Sequence, residues 1–342
     1  MEGSTASMES PRMSDPLTVH GGRRRAAQAR FPDAPRPWLD LSTGINPVPY
    51  PLPTLDPAVF TDLPEPEDLA RLESIAAAAY GVPDPALVVA APGTQILIEL
   101  LPLLAAPGAA AVLGPTYGEH GPGWARAGHR VREARSLAEL DGASHAVVVN
   151  PNNPDGRVLK AADLIPLAAR LDRAGGFLVV DEAFADLEPG VSLAPYLPRP
   201  GLVILRSFGK TYGLAGVRLG FLLAAPEIAA AMREALGAWA VSGPAMAIGT
   251  GALGDERWRM AAAAATAEKA ARLDALMAGA GFRLEGGCRL FRLYGHAAAG
   301  AWFERLGRAG ILARPFAYRP DWLRLGLPAD EAAFARLAAA LA

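Results

Sequence analysis

Apolar residues along this chain fall into two rhythms. In "EDLARLESIAAAAYG", residues 67–81, they recur at helical spacing, and the run stops on Gly81, which predicts a helix ending there. Elsewhere they come in short unbroken runs bounded by Gly and Pro: "ALVVAAPGTQ", "AAAVLGPTYG", "HAVVVNPNNPDG", "FLVVDEAF", "GLVILRSFGK" and "GVRLGFLLA". Helical stretches such as "ILIELLPLLAAPG" and "AADLIPLAARLDRAGG" lie between them. Continuous apolar strands alternating with helices predict an α/β fold whose largely parallel sheet is covered on both faces.

Toward the C-terminus the rhythm shifts to Ala/Arg/Leu helices, broken at "GFRLEGGCRLFRLYG" by alternation of the strand kind. That shift predicts a second, smaller α+β domain. Ahead of residue 53 the chain is rich in Pro and Gly without a sustained period, and reads as an extended arm with short strands. The expected organisation is a disordered N-terminus over 1–16, an arm over 17–53, a large domain over 54–235 and a small domain over 236–342.

Composition narrows the class. The 342 residues are 51% hydrophobic and 20% charged, with a net charge of −2, so neither nucleic acid nor a membrane surface is the expected partner. The first residues lack the apolar centre of a signal peptide, and no apolar run approaches the ~20 residues of a membrane helix. Cys288 is the only cysteine, which excludes an intrachain disulfide and a cysteine-rich metal site. A small buried apolar role is expected for it, and a cytoplasmic location for the chain.

Lysine usage points to chemistry. The chain writes 33 cations but only three are lysines, Lys160, Lys210 and Lys269. Arginine keeps its proton near neutral pH, whereas a lysine can lose it, and only the neutral amine attacks a carbonyl. Lys160 and Lys269 lie in alanine-rich, charge-bearing stretches that read as exposed helix faces. Lys210 instead follows the apolar run "GLVILRSFG".

Other polar groups fall at the ends of apolar runs, where ligands bind in open α/β sheets. Asp181 closes "FLVVD", Asn153 lies just after "HAVVVN", and Tyr117 follows "AAAVLGPT". In "APGTQ", Gly93 permits close backbone approach, and Thr94 and Gln95 open a helix whose free N–H groups attract an anion. A plain N-cap would use the same residues, and Tyr117 alone would serve equally as a packing residue. Ser207 and Arg218 flank Lys210 and add a hydroxyl and a guanidinium. Together these side chains suit a phosphorylated, flat, aromatic aldehyde: lysine for the aldehyde, tyrosine for the ring, an acid for a protonated ring nitrogen. That is the inventory of a pyridoxal 5′-phosphate site.

The ordered set "PGTQ", "PTYG", "NPNNPDG", "VVDEAF", "SFGKTYGLAGVRLG" and "WLRLGLP", spread over roughly residues 38–330, resembles the class I/II aminotransferase superfamily of fold type I. The resemblance implies a mostly parallel seven-stranded sheet sandwiched by helices, a smaller α+β domain and a homodimer. It implies Lys210 as the Schiff-base lysine, Asp181 at the pyridine nitrogen and Asn153 at the phenolic oxygen. It also implies Tyr117 on the ring, with Gly93, Thr94, Gln95, Ser207 and Arg218 at the phosphate, and Arg324 at the substrate carboxylate.

"VHGGRRRAA" (19–27) followed by "LDLSTGINPVPYP" (39–51) resembles the N-terminal arm of the threonine-phosphate decarboxylases of cobalamin biosynthesis. That branch implies decarboxylation of L-threonine O-3-phosphate to (R)-1-aminopropan-2-ol O-phosphate. It also implies an arm that packs on the small domain, and a second anion pocket from His20, Gly21, Asn46 and Arg314, with Asn153 also near substrate. The run Arg23, Arg24 and Arg25 is expected as a solvated face.

Two positions depart from the wider superfamily. Phe184 stands where a tyrosine commonly bonds the phenolic oxygen, which leaves Asn153 as the principal partner. Leu63, in "DLPEPED", replaces a tyrosine that reaches the cofactor phosphate of the partner subunit. The motifs are shared with histidinol-phosphate aminotransferases, the alternative activity. A sensor on the same fold would need a DNA-binding domain ahead of it, and the leading residues hold no such pattern.

Overall fold

The computed structural model describes residues 16–342. The disordered N-terminus expected over 1–16 falls, save Pro16, outside the described residues. A seven-stranded sheet runs in the order Val88–Ala91, Gly220–Ala224, Leu202–Ser207, Leu178–Asp181, His145–Val149, Ala109–Leu113, Arg130–Ala134. The last five pair in parallel, and Gly220–Ala224 runs antiparallel to both its neighbours. The unbroken apolar runs follow from double coverage. Val147, Val179 and Val203 face a core with Leu97, Trp124 and Met232, while Val148, Val180 and Ile204 face another with Leu72, Leu164 and Ala252.

The helix expected over 67–81 spans Pro66–Tyr80 and stops on Gly81, whose φ of +71° lets its N–H close on Ala77 and Ala78 carbonyls. The helix Gly243–Gly254, expected in the small domain, instead packs against Pro66–Tyr80 and places Ala245, Met246 and Leu253 in the large core. Small side chains permit that approach: a Cβ on Gly249 would stand 2.5 Å from Leu219. The large core therefore extends past residue 235. The cores change over along the helix Glu256–Gly279, with Trp258 against the large one and Leu273 and Met277 in the small one.

The small domain carries an antiparallel sheet in the order Arg314–Phe316, Arg319–Gly326, Phe291–Gly295, Arg283–Cys288. The arm differs from the expectation of short strands. It forms the helices Pro16–Val19 and Arg24–Arg30 and a single two-residue strand, Leu39–Asp40, parallel to Ile311–Leu312. "RRAAQAR" is built of good helix formers, and Leu17, Ala27, Phe31 and Leu41 join the small-domain core. Arg23, Arg24 and Arg25 stand exposed.

Lys160 is exposed, whereas Lys269 is half-buried and donates to the Ala329 carbonyl at 2.6 Å. Cys288 is buried, and burial pushes its thiol up to about 12. Among the described residues no helix is long and apolar enough to cross a membrane.

Candidate active site

Sheet direction decides what meets at the carboxyl edge. Val88–Ala91 and the parallel strands run the same way and deliver the residues at or after their carboxyl ends: Gly93 and Thr94, Tyr117, Asn153, Asp181 and Lys210. Gly220–Ala224 runs the other way, so the residue two before its start, Arg218, arrives at the same edge. These groups line a cavity of about 420 Å³, closed on its other side by His20 and Gly21 of the arm and by Arg314, Phe316, Tyr318 and Arg324 of the small domain.

Lys210 sits on the single helical turn Phe208–Thr211 that leaves its strand. Its Nζ lies 5.3 Å from the centre of the Phe184 ring. Burial pushes its amine below the usual lysine value; Asp181 opposes the shift, and the guanidiniums of Arg324 and Arg218 add to it. A lysine so placed reaches its neutral, nucleophilic form more readily.

Asp181 is held at both carboxylate oxygens. Oδ1 accepts from the Ala183 N–H at 3.0 Å, and Oδ2 meets His120 Nε2 at 3.0 Å, with both side chains buried. His120 is absent from the sequence reading. It stands three residues after Tyr117, at the start of the helix His120–Arg126, and nothing local in the sequence reveals that its ring reaches Asp181.

Gly93 has φ +87°, and a Cβ there would come within 2.5 Å of Arg218 Nη2. Arg218 itself occupies the left-handed region at φ +56°, a strained conformation for a non-glycine residue. The pair places a guanidinium against the start of the helix Thr94–Leu100, beside Ser207 on the cavity wall. Tyr117 donates its hydroxyl to Gln95 Oε1 at 3.1 Å, and burial pushes that phenol up to about 12. Gln95 also donates to Glu99, so its side chain braces the Tyr117 loop.

Arg324 donates from Nη1 to Asn153 Oδ1 at 2.5 Å and from Nη2 to the Ser42 carbonyl at 2.9 Å. Its Nε is buried without a hydrogen-bond partner among the described residues. Burial lowers its guanidinium to about 10, helped by Arg314. Arg314 is half-buried, and burial lowers it as well. Two guanidiniums weakened by burial, one of them also by the other, are placed to gain from an anion.

The four residues expected to form a second anion pocket do not all meet. His20 and Gly21 line the cavity with Arg314, but Asn46 does not. Its Nδ2 donates to the Thr211 carbonyl at 3.0 Å and its Oδ1 accepts from the Val48 N–H at 3.1 Å. That amide is committed to backbone on the far side of Ile45, so Asn46 is corrected to a structural residue. Phe184 is buried against Phe291, and its ring offers Lys210 a π face in place of a hydroxyl. Leu63 is 65% exposed.

The model of the family "Aminotransferase class I and II" matches residues 63–341. A threonine-phosphate decarboxylase from Sinorhizobium sp. is 46% identical over 336 residues, covering 96% of this chain and 99% of its own. The enzyme of that name from Pseudomonas aeruginosa is 45% identical, covering 95% and 97%. The solved histidinol-phosphate aminotransferase from Sinorhizobium meliloti, in complex with pyridoxal-5′-phosphate, superposes with a TM-score of 0.80 at 21% identity, covering 98% of each chain. By its matched length and its full-length relatives, the chain belongs to the class I and II aminotransferase family.

Proposed function

We propose that this protein decarboxylates L-threonine O-3-phosphate to (R)-1-aminopropan-2-ol O-phosphate, a reaction of cobalamin biosynthesis, with pyridoxal 5′-phosphate as cofactor. The carrying observation is that two relatives of that name share 45–46% identity over nearly the whole chain. The geometry supports it: one cavity gathers a half-buried lysine, a fixed carboxylate and three guanidiniums, enough for two anionic groups besides the cofactor's phosphate.

The residues present fit the cofactor. The space opposite Arg218 is one that a Cβ on Gly93 would fill, and the surrounding donors are those a phosphate recruits. Bound there, pyridoxal phosphate supplies the electron sink for the bond broken at the substrate α carbon. Lys210 Nζ would hold the cofactor's aldehyde carbon, and the same amine, once displaced by the substrate's, would be the group to return a proton to the α carbon. Asp181 would keep a proton on the pyridine nitrogen, with His120 fixing the carboxylate. Thr94, Ser207 and Arg218 would take the cofactor phosphate, Tyr117 would give the ring an aromatic face, and Asn153 would serve the phenolic oxygen. Arg324 takes the substrate carboxylate; Arg314, His20 and Gly21 take the substrate phosphate.

A homodimer accompanies this reading. Leu52, Phe60, Leu63 and Trp239 are large and exposed. Phe60 lies on the short helix Ala58–Thr61, which packs on Gly243–Gly254, and Trp239 lies just ahead of that helix. Sedimentation at micromolar concentration should give twice the monomer mass. A chain with one cysteine fits the reducing cytoplasm.

The activity is tested by offering threonine phosphate and histidinol phosphate side by side, each with 2-oxoglutarate. Aminopropanol phosphate from the first and no glutamate from either supports the reading. Glutamate formed from histidinol phosphate would replace it with transamination.

A further inference from the structure

One loop orients three different groups of the site. Tyr117 bonds Gln95, His120 bonds Asp181, and Glu119, just ahead of His120, reaches the arm. Glu119 Oε1 lies 2.9 Å from His20 Nε2, with both side chains about one-third exposed. A carboxylate oxygen accepts, so Nε2 is the protonated nitrogen of that ring. The His20 backbone is fixed independently. The Gly22 N–H donates to Ser42 Oγ at 2.8 Å, and that hydroxyl donates to Asp40 Oδ1 at 2.6 Å. Gly21 sits so close that a Cβ on it would stand 2.3 Å from the Ser42 carbonyl oxygen. With the backbone docked on Ser42 and one ring nitrogen taken by Glu119, the ring lies tilted 50° to Tyr117 at 6.1 Å, on the cavity wall. Nδ1 is then the polar atom of His20 left for a ligand, and it is the nitrogen the Glu119 contact fixes in place.

We propose that Glu119 is a positioning residue for substrate recognition: it holds His20 by Nε2 so that the opposite ring nitrogen serves the phosphate of the substrate. The inference rests on the reading above that His20 belongs to the substrate-phosphate pocket. Glu119 itself does not line the cavity, which suits a residue acting through another. Its carboxylate would repel a phosphate dianion if it faced one directly; it is instead engaged with the imidazole at Nε2, a ring that can donate to a phosphate from Nδ1 when both nitrogens carry protons.

The test is a double-mutant cycle on the cofactor-loaded enzyme, with Glu119→Ala, His20→Ala and both together. The phosphorylated substrate that the wild type turns over is used, whether threonine phosphate or histidinol phosphate, alongside unphosphorylated threonine. Glu119→Ala should raise KM for the phosphorylated substrate roughly tenfold, as for loss of one hydrogen bond to a charged group. Handling of unphosphorylated threonine and the cofactor absorbance should not move. In the His20→Ala background, Glu119→Ala should add less than about twofold, and Glu119→Asp should recover part of the single-variant loss. Additive effects would overturn the proposal, because Glu119 would then act without His20. If His20→Ala weakens the substrate and Glu119→Ala does not, the proposal fails while the pocket stands. If neither variant changes KM, the proposal fails together with the assignment of His20 to the pocket.

Discussion

His120 Nε2 lies 3.0 Å from Asp181 Oδ2 inside the protein, where neither side chain meets solvent. The carboxylate proposed to hold the pyridine nitrogen is thereby fixed from behind by a ring at the start of the helix His120–Arg126, which follows a strand two places away in the sheet. His120→Ala should leave cofactor bound but lower kcat by roughly ten- to a hundredfold, the cost of a charged hydrogen bond lost in a buried site. Asp181→Asn should cost more, since a neutral amide no longer stabilises the protonated ring. Steady-state kinetics with the cofactor spectrum as a control separate the two.

Lys210→Ala should abolish turnover together with the absorbance of the covalently held cofactor. Cofactor should still be retained through Thr94, Ser207 and Arg218, measured after gel filtration. Normal turnover in that variant would refute the assignment of Lys210.

Arg314→Ala should weaken threonine phosphate by about ten- to a hundredfold through lost charged hydrogen bonds, and unphosphorylated threonine much less. Equal losses for both would move Arg314 to the carboxylate or to structure. The cofactor absorbance should not change, since its phosphate is assigned other donors.

Much of this site was legible because topology does the gathering. Once the apolar runs read as parallel strands, Thr94, Tyr117, Asn153, Asp181 and Lys210 had to share an edge, and the structure places all five on the cavity. What the sequence could not carry is which side chain finds which partner. Asn46 and His20 look alike as polar residues in an irregular arm, yet one is spent on the Thr211 carbonyl and the other faces the cavity. Glu119 and His120 stand beside Tyr117, but their partners lie 99 and 61 positions away. The helix Gly243–Gly254 was misplaced for a related reason. Its small residues look like any alanine-rich helix until Leu219 and Leu72 are seen against Gly249.

Behind the site, Arg206 joins Glu182 at 2.6 Å and also pairs with Asp186, all in the large core. Burial raises Glu182, with Arg206 opposing. Arg206→Ala would leave two buried carboxylates without their cation and should cost about 3–5 kcal/mol of stability. Denaturant unfolding of the cofactor-loaded protein measures it.

Acid should weaken the fold through His145. Burial, helped by nearby His129, lowers its imidazole to about 4 from an ordinary 6.5. The unfolded chain therefore binds a proton that the folded one refuses between those values. This contribution is full above about pH 6.5, falls as pH drops toward 4 and is then exhausted, a loss on the order of 3 kcal/mol. Tm against pH should show the decline, and His145→Leu should flatten it over that window.

The most direct measurement of the central claim is a single turnover of cofactor-loaded enzyme with threonine phosphate carrying labelled carboxyl carbon. The account predicts one equivalent of labelled CO2 per site, with the cofactor restored to its starting spectrum and no pyridoxamine phosphate formed. Label retained in the product, with pyridoxamine phosphate accumulating, would mean that this site breaks the Cα–H bond instead, and would contradict the decarboxylase assignment.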